Sequence, residues 1–232
     1  MKQLQCRVSA CEQLTTMVYR VILELPEALS IRAGSYLQVV MSDKDKRPFS
    51  IASAAGRQHQ FELHIGALPD NSYAYQVIEQ VRQHGSLTIE APLGDAWWRG
   101  DSVRPVILVA GGTGFSYTWS ILQSYLAAAK PAPITLYWGV REEADLYAHQ
   151  RLLQLSEQHP NFSYRPVVEH ASAQWHGARG LVHLAVLAEQ TDLAEADVYV
   201  AGRFAMVRVV RDSFHAQGLP LSQLYGDALA YL

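Results

Sequence analysis

The chain has 232 residues, 49% of them hydrophobic and 18% charged, with a formal net charge of −3 and a pI near 6.3. That balance excludes a disordered chain and argues against a surface built for nucleic acid or anionic membrane. No apolar run reaches the ~18 to 20 residues of a membrane span, and the N-terminus MKQLQCRVSACEQL carries no signal-type apolar block. The expectation is a globular, cytoplasmic protein with no nucleic-acid or membrane partner.

The first ~100 residues read as six short strands: LQCRVSAC, MVYRVILEL, SYLQVVM, PFSIAS, FELHIGA and SLTIEAPLG. Turn signals part them at RAGS (32–35), SDKDKRP (42–48) and AAGRQHQ (54–60). One helix interrupts the series at 72–85, with Tyr73, Val77 and Val81 at helical spacing, Asn71 or Ser72 as cap and Gly85 as stop. This pattern predicts a six-stranded antiparallel β-barrel over 1–100. Cys6 and Cys11 lie five apart with no further cysteine, so they read as strand residues and exclude a cysteine-ligated iron–sulfur cluster in this chain.

From 103 the rhythm changes. RPVILVAGG is a nearly unbroken apolar run, the mark of a strand buried on both faces. Strands ITLYWGV, FSYRPVVE, DVYVAG and a last one near LYGDALAYL alternate with helices, which predicts a doubly wound, five-stranded parallel sheet over 103–232. AWWRGDSVRP is the expected joint, with Trp97 and Trp98 read as packing.

Two segments stand out chemically. GGTGFS at 111–116 puts glycines between a buried strand and a helix, where backbone N–H groups and the helix dipole suit an anion. RPFS at 47–50 places a planar cation, a fixed backbone and a hydroxyl together in the barrel half. His149, His159, His170, His176 and His183 form no metal-binding spacing, so no metal is expected.

With these two motifs in this order, the chain resembles the ferredoxin–NADP reductase superfamily, and within it the bacterial NAD(P)H:flavin oxidoreductases that reduce free flavins. RAGSYLQVVM, DKRPFSIAS, FELHIGA, ILVAGGTGFSY, ITLYWGVREEADLY, VYVAGRFAMV and LYGDALAYL carry the resemblance over essentially the whole length. It implies that Arg47, Pro48, Phe49 and Ser50 line the flavin ring, with Ser50 bonded to N5 as the catalytic residue. Arg47 would stabilise the reduced flavin or hold a flavin phosphate. His64, Ile65, Gly66 and Ala67 would run alongside the flavin, Tyr36 and Tyr73 would flank it, and Thr113 and Ser116 would touch both ligands.

For the nicotinamide nucleotide the resemblance implies Gly111, Gly112, Thr113, Gly114, Phe115, Arg141 and the turn Gly202, Arg203, Phe204. Arg141 favours a 2′-phosphate while Glu142 and Glu143 oppose it, so the charges do not choose between NADH and NADPH. Asp227 and Tyr231 match a terminal segment that approaches the flavin in relatives, with edge-strand packing as the other reading.

Two departures from the wider superfamily matter. Pro69 and Asp70 in LPDNS stand where prosthetic-FAD members have a glycine-type pyrophosphate turn, which favours FMN, FAD or riboflavin as an exchangeable substrate. Ala201 stands where many relatives have a cysteine. The implied activity is NAD(P)H-dependent reduction of free flavins, feeding enzymes such as a monooxygenase or luciferase. The alternative is an FAD-containing reductase passing electrons to a ferredoxin or oxygenase partner.

Overall fold

Alternation of apolar and polar residues makes the first part of the chain a sheet. In the computed structural model, which describes residues 1–68 and 72–232, one unit comprises Met1–Trp98 with Trp119–Ser124. Its elements are β1 (Lys2–Gln13), β2 (Val18–Ile31), β3 (Tyr36–Ser42), β4 (Asp45–Ser50), β5 (Gly56–Gly66), α1 (Ser72–His84) and β6 (Ser86–Leu93). The strands order as β4-β3-β6-β1-β2-β5, every pair antiparallel. The edges β4 and β5 meet at the single bridge Ile51–Leu63, which curls the sheet into a half-barrel.

The inward face follows the two-residue period. Val21, Leu23, Leu37, Val39, Phe61, Leu63, Ile65, Leu87 and Ile89 are all essentially without solvent exposure. Helix α1 adds Ala74, Val77, Ile78 and Val81, a stripe at i, i+3, i+4 and i+7. Truncating one such side chain to Ala costs about 2 to 5 kcal/mol. Gly85, at φ 62°, ends α1 by returning its amide to the Val81 carbonyl at 2.9 Å.

The distant segment Trp119–Ser124 is tied into this unit by side chains. The Ser120 hydroxyl donates to the Ser53 carbonyl at 2.6 Å and accepts from the Gly34 amide at 3.2 Å. The Ser124 hydroxyl accepts from the Ala55 amide at 2.8 Å, and the Gln123 amide donates to the Ala52 carbonyl at 2.8 Å. Trp97 packs beneath the Arg32 guanidinium, 4.2 Å from its ring centre.

The second unit comprises Arg99–Thr118 and Tyr125–Leu232. Its elements are β7 (Val106–Gly111), α2 (Phe115–Ala127, whose middle belongs to the first unit), β8 (Ile134–Val140), α3 (His149–Gln158), β9 (Phe162–Val168), β10 (Ala178–Arg179), α4 (Val182–Glu189), β11 (Asp197–Ala201), α5 (Phe204–Ala216) and β12 (Leu224–Tyr225). All strands are parallel, in the order β10-β9-β8-β7-β11-β12.

The five expected parallel strands are thus joined by a sixth, β10, whose two residues are too few to leave a periodic trace in the sequence. The chain runs outward from β7 through β8 to β10, then returns to β11 on the other side of β7. That reversal makes the carboxyl ends of β7 and β11 the switch point of the sheet, the place where ligands bind in such folds. Among the described residues, no helix is long and apolar enough to cross a membrane.

Candidate active site

In the half-barrel unit, register brings the barrel-side residues together. Tyr36 pairs with Ser50, Leu37 with Phe49, Gln38 with Pro48 and Val39 with Arg47 across β3 and β4. Pro48 is tolerated within a strand because β4 is a sheet edge and its missing N–H leaves no ladder partner short. Antiparallel continuation from the Ile51–Leu63 bridge sets Ser50 beside His64. The two motifs RPFS and HIGA therefore converge. Ser50 is half-buried, and among the described residues no hydrogen bond engages its hydroxyl.

Ile65 and Ala67 point into the core, so only their backbone is free for a ligand, and the Ala67 amide already donates to Met17 at 2.7 Å. Phe49 packs against the same core. Gly66 pairs with Val18 at the end of β5. Pro69 and Asp70, on which the argument against a pyrophosphate turn rests, lie outside the described residues.

Arg47 is buried but fully charged. Its Nε donates to the Asp45 carboxylate at 3.0 Å and its Nη2 donates to Asp45 at 2.5 Å and Gln76 at 2.7 Å. Its Nη1 donates to the Tyr73 carbonyl, and its guanidinium lies 4.7 Å from the centre of the half-exposed Tyr73 ring. The hydrogen bond from Arg47 holds the Asp45 carboxyl below its ordinary value.

His64 is likewise buried, with Nε2 2.8 Å from the Glu62 carboxylate. Glu62 also meets Arg20 at 3.3 Å. Burial pushes the Glu62 carboxyl up, but hydrogen bonds and charge from His64 and Arg20 outweigh it and bring it to about 2. Asp45, Gln76, Arg20 and Glu62 were not singled out from the sequence. Asp45 and Glu62 sit two residues from Arg47 and His64, the same-face spacing of a strand.

In the α/β unit, β7 ends in a tight 3₁₀ turn over Gly112–Gly114 before α2 begins. Gly112 takes φ 53°, a left-handed conformation that glycine alone adopts at little cost. A Cβ on Gly114 would fall on the Ala201 carbonyl, and one on Gly202 would lie 2.7 Å from Met206 Cε. Gly111 abuts the same Met206 sulfur. The two turns therefore pack backbone to backbone on neighbouring strands, with Met206 wedged between them.

Thr113 is half-buried and Ser116 buried, and the Ser116 hydroxyl has no hydrogen-bond partner among the described residues. Buried hydroxyls are almost always bonded, so an unbonded one at this turn is an exception that calls for an explanation. The Phe115 ring is spent on the core, stacked 4.1 Å from Trp138 and edge-on to Tyr147. Its amide closes the turn onto the Gly112 and Thr113 carbonyls.

Arg141 follows β8 and is exposed. Its acidic neighbours are occupied: Glu142 and Asp145 cap one another's backbone, and Glu143 accepts from the Ser172 amide at 2.7 Å, which lowers its pKa. On the other side of β7, Arg203 caps α5 and Phe204 stays 56% exposed. At the C-terminus, β12 pairs with β11, and the exposed Tyr231 meets Phe204 edge to ring, 6.1 Å apart. Among the described residues no cluster of His, Cys, Asp or Glu could hold a metal.

A glycine cradle, an unbonded buried hydroxyl and flanking arginines at a switch point fit a nicotinamide nucleotide. A half-barrel preceding such a sheet defines a ferredoxin–NADP reductase-like oxidoreductase. Comparison with known proteins agrees. Residues 108–212 match the family model "Oxidoreductase NAD-binding domain".

The chain is 42% identical to an NAD(P)H-flavin reductase of Vibrio harveyi, covering 99% of both chains. It is 43% identical to one of Aliivibrio fischeri at the same coverage. The ferredoxin reductase in carbazole 1,9a-dioxygenase superposes with a TM-score of 0.85 at 22% identity, covering 97% of this chain and 69% of that one. The chain belongs to the NAD(P)H-flavin reductase family.

Proposed function

We propose that this chain catalyses NAD(P)H-dependent reduction of free riboflavin, FMN or FAD, with flavin as an exchangeable substrate. The chemistry is a hydride transfer from the nicotinamide to flavin N5, and the protein supplies alignment at near-attack distance. The half-barrel unit receives the flavin and the α/β unit the nucleotide.

Within this reading, Ser50 presents its unengaged hydroxyl to N5, with Tyr36 opposite it on β3 and His64 beside it on β5. Pro48 and Phe49 shape the floor, and the backbone of Ile65, Gly66 and Ala67 borders the ring. Arg47 and Tyr73 close the side formed by α1. Gly111, Gly112, Thr113, Gly114 and Ser116 receive the nucleotide, with Arg141 and Gly202–Phe204 to either side. Reduced flavin then leaves for a consumer such as a monooxygenase or luciferase, in the cytoplasm, where reduced nicotinamide is supplied.

The observation that carries the reading is the family membership over the full chain, with RPFS and HIGA brought to one bridge. The test is an absorbance scan of the purified protein, followed by NADH and NADPH oxidation with and without riboflavin or FMN. A colourless protein that oxidises the nucleotide only when flavin is added supports it. A yellow protein active on artificial acceptors without added flavin overturns it in favour of an FAD-containing electron-transfer reductase.

A further inference from the structure

A buried tryptophan must find an acceptor for its indole N–H. Trp138, near the end of β8, is wholly buried and donates to the carbonyl of Gly112 at 2.9 Å. Its ring is pinned by Phe115 at 4.1 Å, 15° from parallel, and by Tyr147 edge-on at 5.0 Å. Gly112 itself has φ 53° and, among the described residues, nothing within reach of where a side chain would stand, so no steric contact there fixes the peptide that follows it. The indole and the Phe115 amide hold it instead.

A trans peptide points its C=O and the next N–H in opposite directions. With the Gly112 oxygen held on the interior indole, the Thr113 N–H is turned away from the interior. We infer that Trp138 is a positioning residue for the nucleotide: its N–H sets the Gly112–Thr113 peptide so that the Thr113 amide faces an anionic or carboxamide group of the bound nucleotide. This rests on the proposed nucleotide-binding role of the 111–116 turn.

The test is Trp138→Phe in the full chain, with steady-state kinetics for both substrates and NADP⁺ binding by calorimetry. The expected result is a KM for NAD(P)H raised about tenfold, weaker NADP⁺ binding to match, and an unchanged KM for riboflavin. Equal changes in both KM values, or none, overturn the inference. If Trp138→Phe fails to fold, site-specific benzothienylalanine decides, because it keeps the ring area and stacking while removing only the N–H. An isostere with wild-type KM for NAD(P)H overturns the inference. Wild-type protein that neither binds NADP⁺ nor oxidises NAD(P)H would instead overturn the reading of the turn itself.

Discussion

The guanidinium of Arg47 lies on the carboxylate of Asp45, two residues earlier on the same strand, at 2.5 and 3.0 Å. Its remaining reach goes to Gln76 and the Tyr73 carbonyl, in the first turns of α1. The cation beside the proposed flavin is therefore already neutralised, and it anchors the helix behind it.

Releasing that cation changes which flavin is used best. Asp45→Asn leaves the planar fork with an uncompensated charge suited to a phosphate. The kcat/KM ratio of FMN to riboflavin is expected to rise about three- to tenfold in this variant, measured with NADH saturating. Arg47→Ala raises the KM for every flavin, because the first turns of α1 lose their tie to β4.

Among the described residues the Ser50 hydroxyl makes no hydrogen bond, so its loss is expected to read out in catalysis alone. Ser50→Ala lowers turnover at least tenfold, about 1.4 kcal/mol of barrier. Its urea midpoint stays at the wild-type value. A normal turnover number removes Ser50 from the catalytic role.

The buried hydroxyl of Ser116 predicts opposite signs for stability and activity. Leaving a polar group unbonded costs about 1 to 3 kcal/mol, so Ser116→Ala melts at or above the wild-type temperature. The same variant loses kcat/KM for NAD(P)H. A drop in melting temperature would show that the hydroxyl has a partner in the free protein.

Two glycines two residues apart, Gly112 and Gly114, respond differently. Gly112→Ala meets no neighbour among the described residues and costs only the left-handed backbone, about 1 to 2 kcal/mol. Gly114→Ala drives a Cβ into the Ala201 backbone and forces the two turns apart. It is expected to be the more destabilised in thermal melts and to show the larger rise in NAD(P)H KM.

Acid stability turns on Glu62. A carboxyl lowered from 4.5 to about 2 on folding stabilises the protein above its unfolded value, and that contribution fades as pH falls from about 4.5 to 2. The shift corresponds to at most about 3 kcal/mol, shared with His64 and Arg20. Denaturant midpoints of Glu62→Gln should therefore show a shallower slope across that window. Parallel wild-type and variant curves would refute the coupling.

The strands and turns that build both motifs are legible because apolar alternation and glycines encode them directly. The partners of Arg47 were hidden by a boundary. DKDKR has the composition of a turn, and the strand-like pattern PFSIAS opens only at Pro48, whereas β4 starts at Asp45. An edge strand shows solvent one face and one flank, so charged residues are tolerated there and mask it. Once Asp45 and Arg47 share a strand face, their pairing follows.

The Arg20–Glu62 contact was illegible for a different reason. It needs the β2–β5 register, which no local pattern supplies. The same holds for Trp138 and Gly112, joined only when β7 and β8 are aligned so that Ala110 faces Trp138. Local chemistry marks the glycine turn, and long-range pairing supplies what holds it.

The hydroxyls of Ser120 and Ser124 have a consequence for synthesis. The sheet of the first unit has all its strands by Leu93, yet its loops at Gly34, Ser53 and Ala55 find their partners only in residues up to Ser124. At about 5 to 20 residues per second, a ribosome needs roughly two to six seconds more to deliver them. During that interval the nascent half-barrel waits, its polar loops hydrated, for a helix encoded downstream of the glycine turn at 111–114.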